Sequence, residues 1–173
     1  MHPLLPCGQA APHFSLYDLN NKQHRLVDYQ GHLTVVNFWS AECPWVERTD
    51  LEIMLRLPGW GDAVVVLWIA SNLNEPIEQL QTVSQQRGLP VVLRDSEQLV
   101  ANLYGAQTTP HYFVIDRTGI LRYQGAFDDI TFRNRTSSVH YLDQAVEALL
   151  AGYSPQLEST PPYGCALVRY SEP

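Results

Sequence analysis

"VVNFWSAECPWVERTDLEIM", residues 35–54, passes from an apolar, β-branched run into a stretch with helical spacing, and Cys43 marks the junction. The first half belongs to a strand over residues 32–39, since a near-continuous apolar run of this length fits a strand covered on both faces. The second half predicts a helix from Pro44 to about residue 57, with Trp45, Ile53 and Leu57 among its apolar positions. Pro44 suits a first helical turn, where a missing N–H costs nothing. Outward from there, "AVVVLWIA" (63–70) reads as a second buried strand, and Asn74 as the cap of a helix to about residue 87, stopped by Gly88. Residues 90–95 read as a short strand and 96–104 as a short helix ended by Gly105. "HYFVIDRTGILRYQG" (111–125) is a hairpin turned at residues 116–119, and residues 139–151 form a last helix with Leu142, Val146 and Leu149 on one face. Residues 12–31 make an N-terminal hairpin turned at Asn20 and Asn21, with a short turn ending at Gly31. The order predicts an α/β fold: a three-layer sandwich with a mixed sheet and helices on both faces.

The chain has 173 residues, 45% of them apolar. That is enough for one domain with a real core, expected over residues 1–151, followed by a tail over 152–173. A formal net charge of −7 gives neither nucleic acid nor an anionic membrane anything to attract. The longest apolar run, 63–70, is far short of the ~20 residues of a membrane-spanning helix. The first residues carry no basic segment followed by an apolar one, so the expected location is cytoplasmic, or periplasmic if an export signal has been removed. Three cysteines, at 7, 43 and 165, are too few and too scattered for a disulfide scaffold or a zinc site built from paired CxxC motifs.

Cys43 stands apart from the other two because of its place. The C-terminal end of a central strand is where open α/β sheets bind ligands, and a helix start favours a thiolate by ~1.4 kcal/mol for each unit its pKa falls. Glu42 opposes that charge and Arg48, about one turn on, could offset it. At the far end "YSPQLESTPPYGCALVRYSEP" begins like a linker but keeps Tyr163, Ala166, Leu167, Val168 and Tyr170 around Cys165, an apolar density that predicts a docked tail. From Gly152 to Cys165 the backbone spans up to ~45 Å, against a radius of gyration near ~16 Å, so the tail reaches Cys43 from almost any exit point. Gly164 adds backbone freedom beside the sulfur.

"GQAAPHFSLYDLNNKQHRLVDYQGHLTVVNFWSAECPW", "AVVVLWIASN" and "TTPHYFVIDRTGILRYQG" together resemble the redoxin branch of the thioredoxin superfamily, which holds the alkyl hydroperoxide reductase/thiol-specific antioxidant proteins and bacterial membrane-anchored thiol-disulfide reductases. The resemblance covers residues 8–150. It implies a thioredoxin-like sandwich in which Thr109 and Pro110 form a cis-proline loop packed beside Cys43. Two departures stand out. Val46 replaces the second cysteine of CxxC, and of the peroxidase motif only Ser40, three residues before Cys43, survives, with Val36 in place of its proline. The arginine that polarises a peroxide has only regional candidates in Arg117, Arg122 and Arg133.

A Gly-Cys-small-apolar tail resembles that of redoxins reading Cys-Pro-aromatic-Val. This implies Cys43 as attacking thiolate, Ser40 and the helix-start N–H groups as its support, and Cys165 as resolving thiol. The alternatives are a packed, unreactive Cys165, pairing of Cys43 with Cys7, and a purely structural bridge, whose loop of over a hundred residues is worth about 5 kcal/mol in the chain-entropy model. The expected activity is thiol-dependent oxidoreduction of a protein disulfide or a peroxide, with no cofactor or bound metal and a thioredoxin- or glutathione-like electron donor. The rivals are a redox-inert binding protein and, if His111 lies beside Cys43, a metallochaperone. Asp128 and Asp129 are expected to be solvated.

Overall fold

Seven strands assemble around the run that opens the sequence. Ser15–Asp18 (β1) and Gln23–Arg25 (β2) form the N-terminal hairpin, and Leu33–Trp39 (β3) is buried at all seven positions. Pro44–Trp60 (α1), Val64–Ala70 (β4), Ile77–Arg87 (α2), Val92–Arg94 (β5) and Leu99–Tyr104 (α3) follow. After Thr108–Thr109 (β6) come His111–Ile115 (β7), Leu121–Gly125 (β8), Tyr141–Leu150 (α4) and Cys165–Ala166 (β9). This computed structural model describes residues 4–170, so residues 1–3 and 171–173, at the outer ends of the two expected segments, lie outside the described residues.

The sheet order is β2-β1-β5-β4-β3-β7-β8, with β3, β4 and β5 parallel and the remaining pairings antiparallel. Alternation along β3 divides the core. Leu33, Val35 and Trp39 face the helices α1, α2 and α4 through Val46, Ile53, Leu80, Leu142 and Val146, while Val36 and Phe38 face α3 and the N-terminal segment through Val100, Tyr104, Phe14 and Leu26. Each fully buried Leu, Val or Phe contributes about 1.5–3 kcal/mol of transfer free energy. β6 and β9 make a separate two-stranded sheet at one end.

Helix starts depart from the sequence reading for identifiable reasons. Pro76, not Asn74, caps α2, and the Asn74 amide donates to Glu42 at 3.3 Å instead. α3 begins at Leu99 because the Asp95 carboxylate accepts the N–H groups of Val100 (3.2 Å) and Ala101 (2.9 Å), and Gln98 before it adopts φ 58°. α4 begins at Tyr141, after a loop whose Ser138 and Val139 N–H groups bond the Asp129 carboxylate at 2.9 and 3.1 Å.

Candidate active site

Cys43 is the N-cap of α1, with extended backbone (φ −76°, ψ 121°) before the Pro44 turn, and it is 3% exposed. The loop carrying it is held from two sides. Ser40 Oγ accepts the N–H groups of Cys43 and Glu42, each at 3.2 Å, and donates to Glu75 Oε1 at 2.7 Å, which also accepts the Glu42 N–H at 3.0 Å. From the other side Arg87 donates to the Ala41 carbonyl at 3.0 Å and to Asp50 at 2.9 Å. Asp50 also accepts the indole N–H groups of Trp39 (2.7 Å) and Trp68 (2.9 Å). Burial pushes the Asp50 carboxyl above the usual range, and the three donors pull against that shift.

The Thr109–Pro110 peptide bond is cis, and the Thr109 carbonyl oxygen lies 3.0 Å from Cys43 Sγ. Against this edge the tail lays β9, pairing Thr109 with Cys165 and Thr108 with Ala166. Cys165 is bonded to Cys43, with Cα atoms 6.1 Å apart and a sequence separation of 122. Gly164 serves here by clearance, since a Cβ would stand 2.2 Å from the Thr109 oxygen. Backbone freedom, the role its sequence position suggests, is not what the site uses, because its φ is outside the left-handed region.

The tail is anchored on both flanks of the bond. Before it, Gln124 N–H donates to the Glu158 carbonyl and Thr160 N–H to the Gln124 carbonyl, both at 3.0 Å, while Tyr163 stands edge-on to Trp45 at 5.0 Å and accepts the Phe132 N–H at 2.6 Å. After it, Leu167 N–H donates to Gln107 O (3.1 Å), Val168 N–H to Asn72 Oδ1 (2.9 Å), and the Gln98 amide to Val168 O (2.7 Å). Arg169 donates to Asn102 and to the Ala106 carbonyl.

The structure thus gathers Cys43, Cys165, Thr109 and Pro110 at one edge, with Ser40 behind them on the loop backbone. Other expectations drawn from the sequence change. Cys7 is unpaired with either cysteine; its Sγ lies 3.1 Å from the Glu158 carbonyl, and burial, then Glu158, raises the thiol pKa to about 11. His111 does not join Cys43, because alternation along β7 turns it to the opposite face, against Phe113 at 4.5 Å, where burial lowers its pKa to about 3. Arg48 does not offset Glu42: it forks onto Asp128 at 2.8 and 2.9 Å. Asp128, expected in solvent, is 4% exposed for that reason. Arg122 pairs with Asp116 at 2.6 Å, and Arg117 and Arg133 are exposed. Among the described residues no group of three or more His, Cys, Asp or Glu side chains could hold a metal ion.

Glu75, Asp50, Arg87 and Gln98 do not stand out from the sequence as site residues. Asp50 leaves a signal, since a carboxylate interrupts the apolar face of α1 between Val46 and Ile53. Glu75, Arg87 and Gln98 leave none, because their partners lie far away in sequence.

Comparison with known proteins agrees with this geometry. The AhpC/TSA family profile matches residues 7–124. The thiol-disulfide oxidoreductase ResA of Geobacillus thermodenitrificans is 35% identical over 114 residues, 65% of this chain and 64% of that protein, so the chain spans somewhat under two thirds of this relative's length. An uncharacterized conserved protein from Geobacillus kaustophilus superposes with a TM-score of 0.90 at 27% identity, covering 99% of this chain and 96% of that one. A putative thioredoxin from Neisseria meningitidis gives 0.60 at 30% identity over 66% of this chain and 77% of its own. The sheet order, the cysteine at the strand-to-helix junction and the profile match point the same way, and the chain belongs to the AhpC/TSA family of thioredoxin-like redoxins.

Proposed function

We propose that this chain is a thiol-disulfide oxidoreductase whose redox centre is the Cys43–Cys165 pair. It cycles between the bonded state and two thiols while exchanging disulfides with protein substrates. The observation that supports this best is position. The bond closes at the end of a central strand, where α/β sheets bind ligands and a helix start favours a thiolate. Ser40 holds the loop backbone, and Thr109 and Pro110 provide the edge beside the sulfurs. Each turn of the cycle moves two electrons: a donor dithiol becomes a disulfide as the Cys43–Cys165 bond becomes two thiols. Thioredoxin- or glutathione-like thiols are the donors in this reading.

Disulfides suit the site better than peroxides. Of the groups a peroxidase would turn on its substrate, the Ser40 hydroxyl is committed to Glu75 and Arg122 to Asp116, while Arg117 and Arg133 are exposed, outside the core that holds Cys43. A centre that cycles through a disulfide is compatible with an oxidising compartment such as the periplasm, the alternative location the sequence allows. The test equilibrates the purified chain with thioredoxin and with glutathione buffers, follows the bond by alkylation mass, and measures turnover of a disulfide-containing peptide. Wild type should be reduced and turn over, with Cys43→Ser and Cys165→Ser both inactive. A bridge that survives thioredoxin and supports no turnover would be structural and would overturn the reading.

A further inference from the structure

We infer that Cys165, carried by the tail, is the sulfur that exchanges with partners, and that Cys43 is the resolving thiol beneath it. This inverts the order expected from Cys43's place at the strand-to-helix junction, and it rests on the oxidoreductase reading above.

Access comes first. Thiol-disulfide exchange is an in-line displacement, so a thiolate must approach one sulfur from the side opposite the other. Cys43 is 3% exposed, belongs to the core cluster with Ala41 and Val46, and has the Thr109 carbonyl oxygen 3.0 Å from its Sγ. An attacker on Cys43 would have to enter the core cluster that encloses it. Cys165 is only half-buried, beside a glycine without a side chain and an exposed Ala166.

The leaving group points the same way. Exchange is faster when the departing thiolate is the more stabilised one, and Cys43 sits at the positive end of the seventeen-residue helix α1. Attack at Cys165 expels that thiolate, which the helix start supports while the adjacent Glu42 and the Thr109 carbonyl oppose it. Attack at Cys43 would instead expel a thiolate from a two-residue strand with no helix start beside it.

Anchoring supplies the third argument. Gln124 and Ala126 hold the tail before the bond, through Glu158 and Thr160, and Gln107, Asn72, Gln98 and Asn102 hold it after, all by hydrogen bonds that do not involve sulfur. Reduction therefore leaves β9 in place over Cys43. Written out, RS⁻ attacks Cys165 Sγ, forming Cys165–S–S–R and releasing Cys43 thiolate. A second donor thiolate, R′S⁻, then attacks the R sulfur to give R–S–S–R′ and Cys165 thiolate, and protons from the two donor thiols complete both protein thiols. By microscopic reversibility Cys165 thiolate opens a substrate disulfide, and Cys43 thiolate then attacks Cys165 to expel the remaining substrate thiolate.

The oxidised wild-type chain is mixed with glutathione, quenched at successive times with acid and N-ethylmaleimide, and mapped by peptide mass spectrometry. Adduct ratios are extrapolated to zero time, so that later migration of glutathione between sulfurs does not count. At least a tenfold excess of glutathione on Cys165 paired with maleimide on Cys43 is expected. Glutathione on Cys43, or on both equally, would overturn this inference while leaving the oxidoreductase reading intact. A bond that glutathione leaves unbroken, with no adduct at either sulfur, and that also survives thioredoxin would overturn both.

Discussion

Cys43 and Cys165 meet in one bond but are placed by different physics. Cys43 lies in the core at the end of β3, on a loop gripped by Ser40, Glu75 and the Arg87–Asp50 pair, so buried side chains fix it. Cys165 arrives on a two-residue strand whose register depends on backbone hydrogen bonds and on the missing side chain of Gly164. The first half-site is costly to dismantle because unpaired buried groups are left behind. The second is removable by steric means without touching the core. The two halves should therefore respond separately to mutation.

Gly164→Ala is the strongest way to break the tail half. A Cβ placed 2.2 Å from the Thr109 oxygen is incompatible with the β6–β9 pairing, so Cys165 should withdraw from Cys43. The variant should remain largely reduced under mild oxidation, and its stability should fall by about 5 kcal/mol, the loop-closure value of the lost bond. Thermal melts with and without reductant check this: wild type should shift and the variant should not. A variant that oxidises normally would show that clearance at Gly164 does not set the register. Asp50→Ala breaks the core half, leaving the largely buried Arg87 unpaired, with an expected cost of about 3–5 kcal/mol. If the two halves are placed independently, urea denaturation should give the same cost in oxidised and reduced protein, even though Arg87 also holds the Ala41 carbonyl on the Cys43 loop. A cost that changes with redox state would join the two halves after all.

His111 belongs to neither half and tests the opposite face. Its folded pKa of about 3 lies below the ordinary histidine value of 6.5, so between these values the unfolded chain binds more protons than the native one. Stability contributed by the neutral ring is complete above pH 6.5 and is lost as the pH falls toward 3. Acidification from pH 7 to 4 should cost on the order of 3 kcal/mol through this residue. Asp50 works in the other sense, since its raised carboxyl pKa makes the native state the better proton binder over its own window. Stability curves of His111→Asn should be flatter than wild type between about pH 4 and 6.5, whatever constant offset the substitution adds. An unchanged slope would mean that the ring charges inside the fold without penalty.

What the sequence made legible follows the same division. The strand at 32–39, the Pro44 helix start and the junction at Cys43 are written in local periodicity and proline placement, and each stands where expected. The tail's docking was signalled by apolar residues around Cys165, but its register was not, because Gly164 and Thr109 meet across 55 positions of chain and only the folded edge makes a side chain intolerable. Side-chain commitments were the least legible. Arg48 with Asp128 and Ser40 with Glu75 are pairs between distant segments, and one chain's pattern says nothing of which charge will meet which. His111 misled for a related reason: adjacency to Pro110 in sequence suggested nearness to Cys43, but one step along a strand reverses the face.

The smallest effect on global stability should come from Gln98, and it decides whether the tail stays docked once the bond is open. Its amide donates to the carbonyls of Ser71 (2.6 Å) and Val168 (2.7 Å), and its oxygen accepts the Tyr170 N–H at 3.2 Å, so one buried side chain ties the last described turn of tail to the domain. Gln98→Gly keeps the left-handed backbone at φ 58°, which glycine adopts freely, and removes only the clamp. The expected loss is about 1 kcal/mol for each net hydrogen bond, expressed as local opening near Tyr170. In the oxidised variant the covalent bond at Cys165 still fixes β9, so faster amide exchange should be confined to residues 168–170. After reduction the same variant should also exchange faster at Leu167, whose N–H then depends on Gln107 alone, while reduced wild type keeps its protection there. If reduced wild type loses protection across residues 165–170 without any mutation, the tail leaves when the bond opens, Cys43 becomes accessible, and the tail is held by sulfur alone.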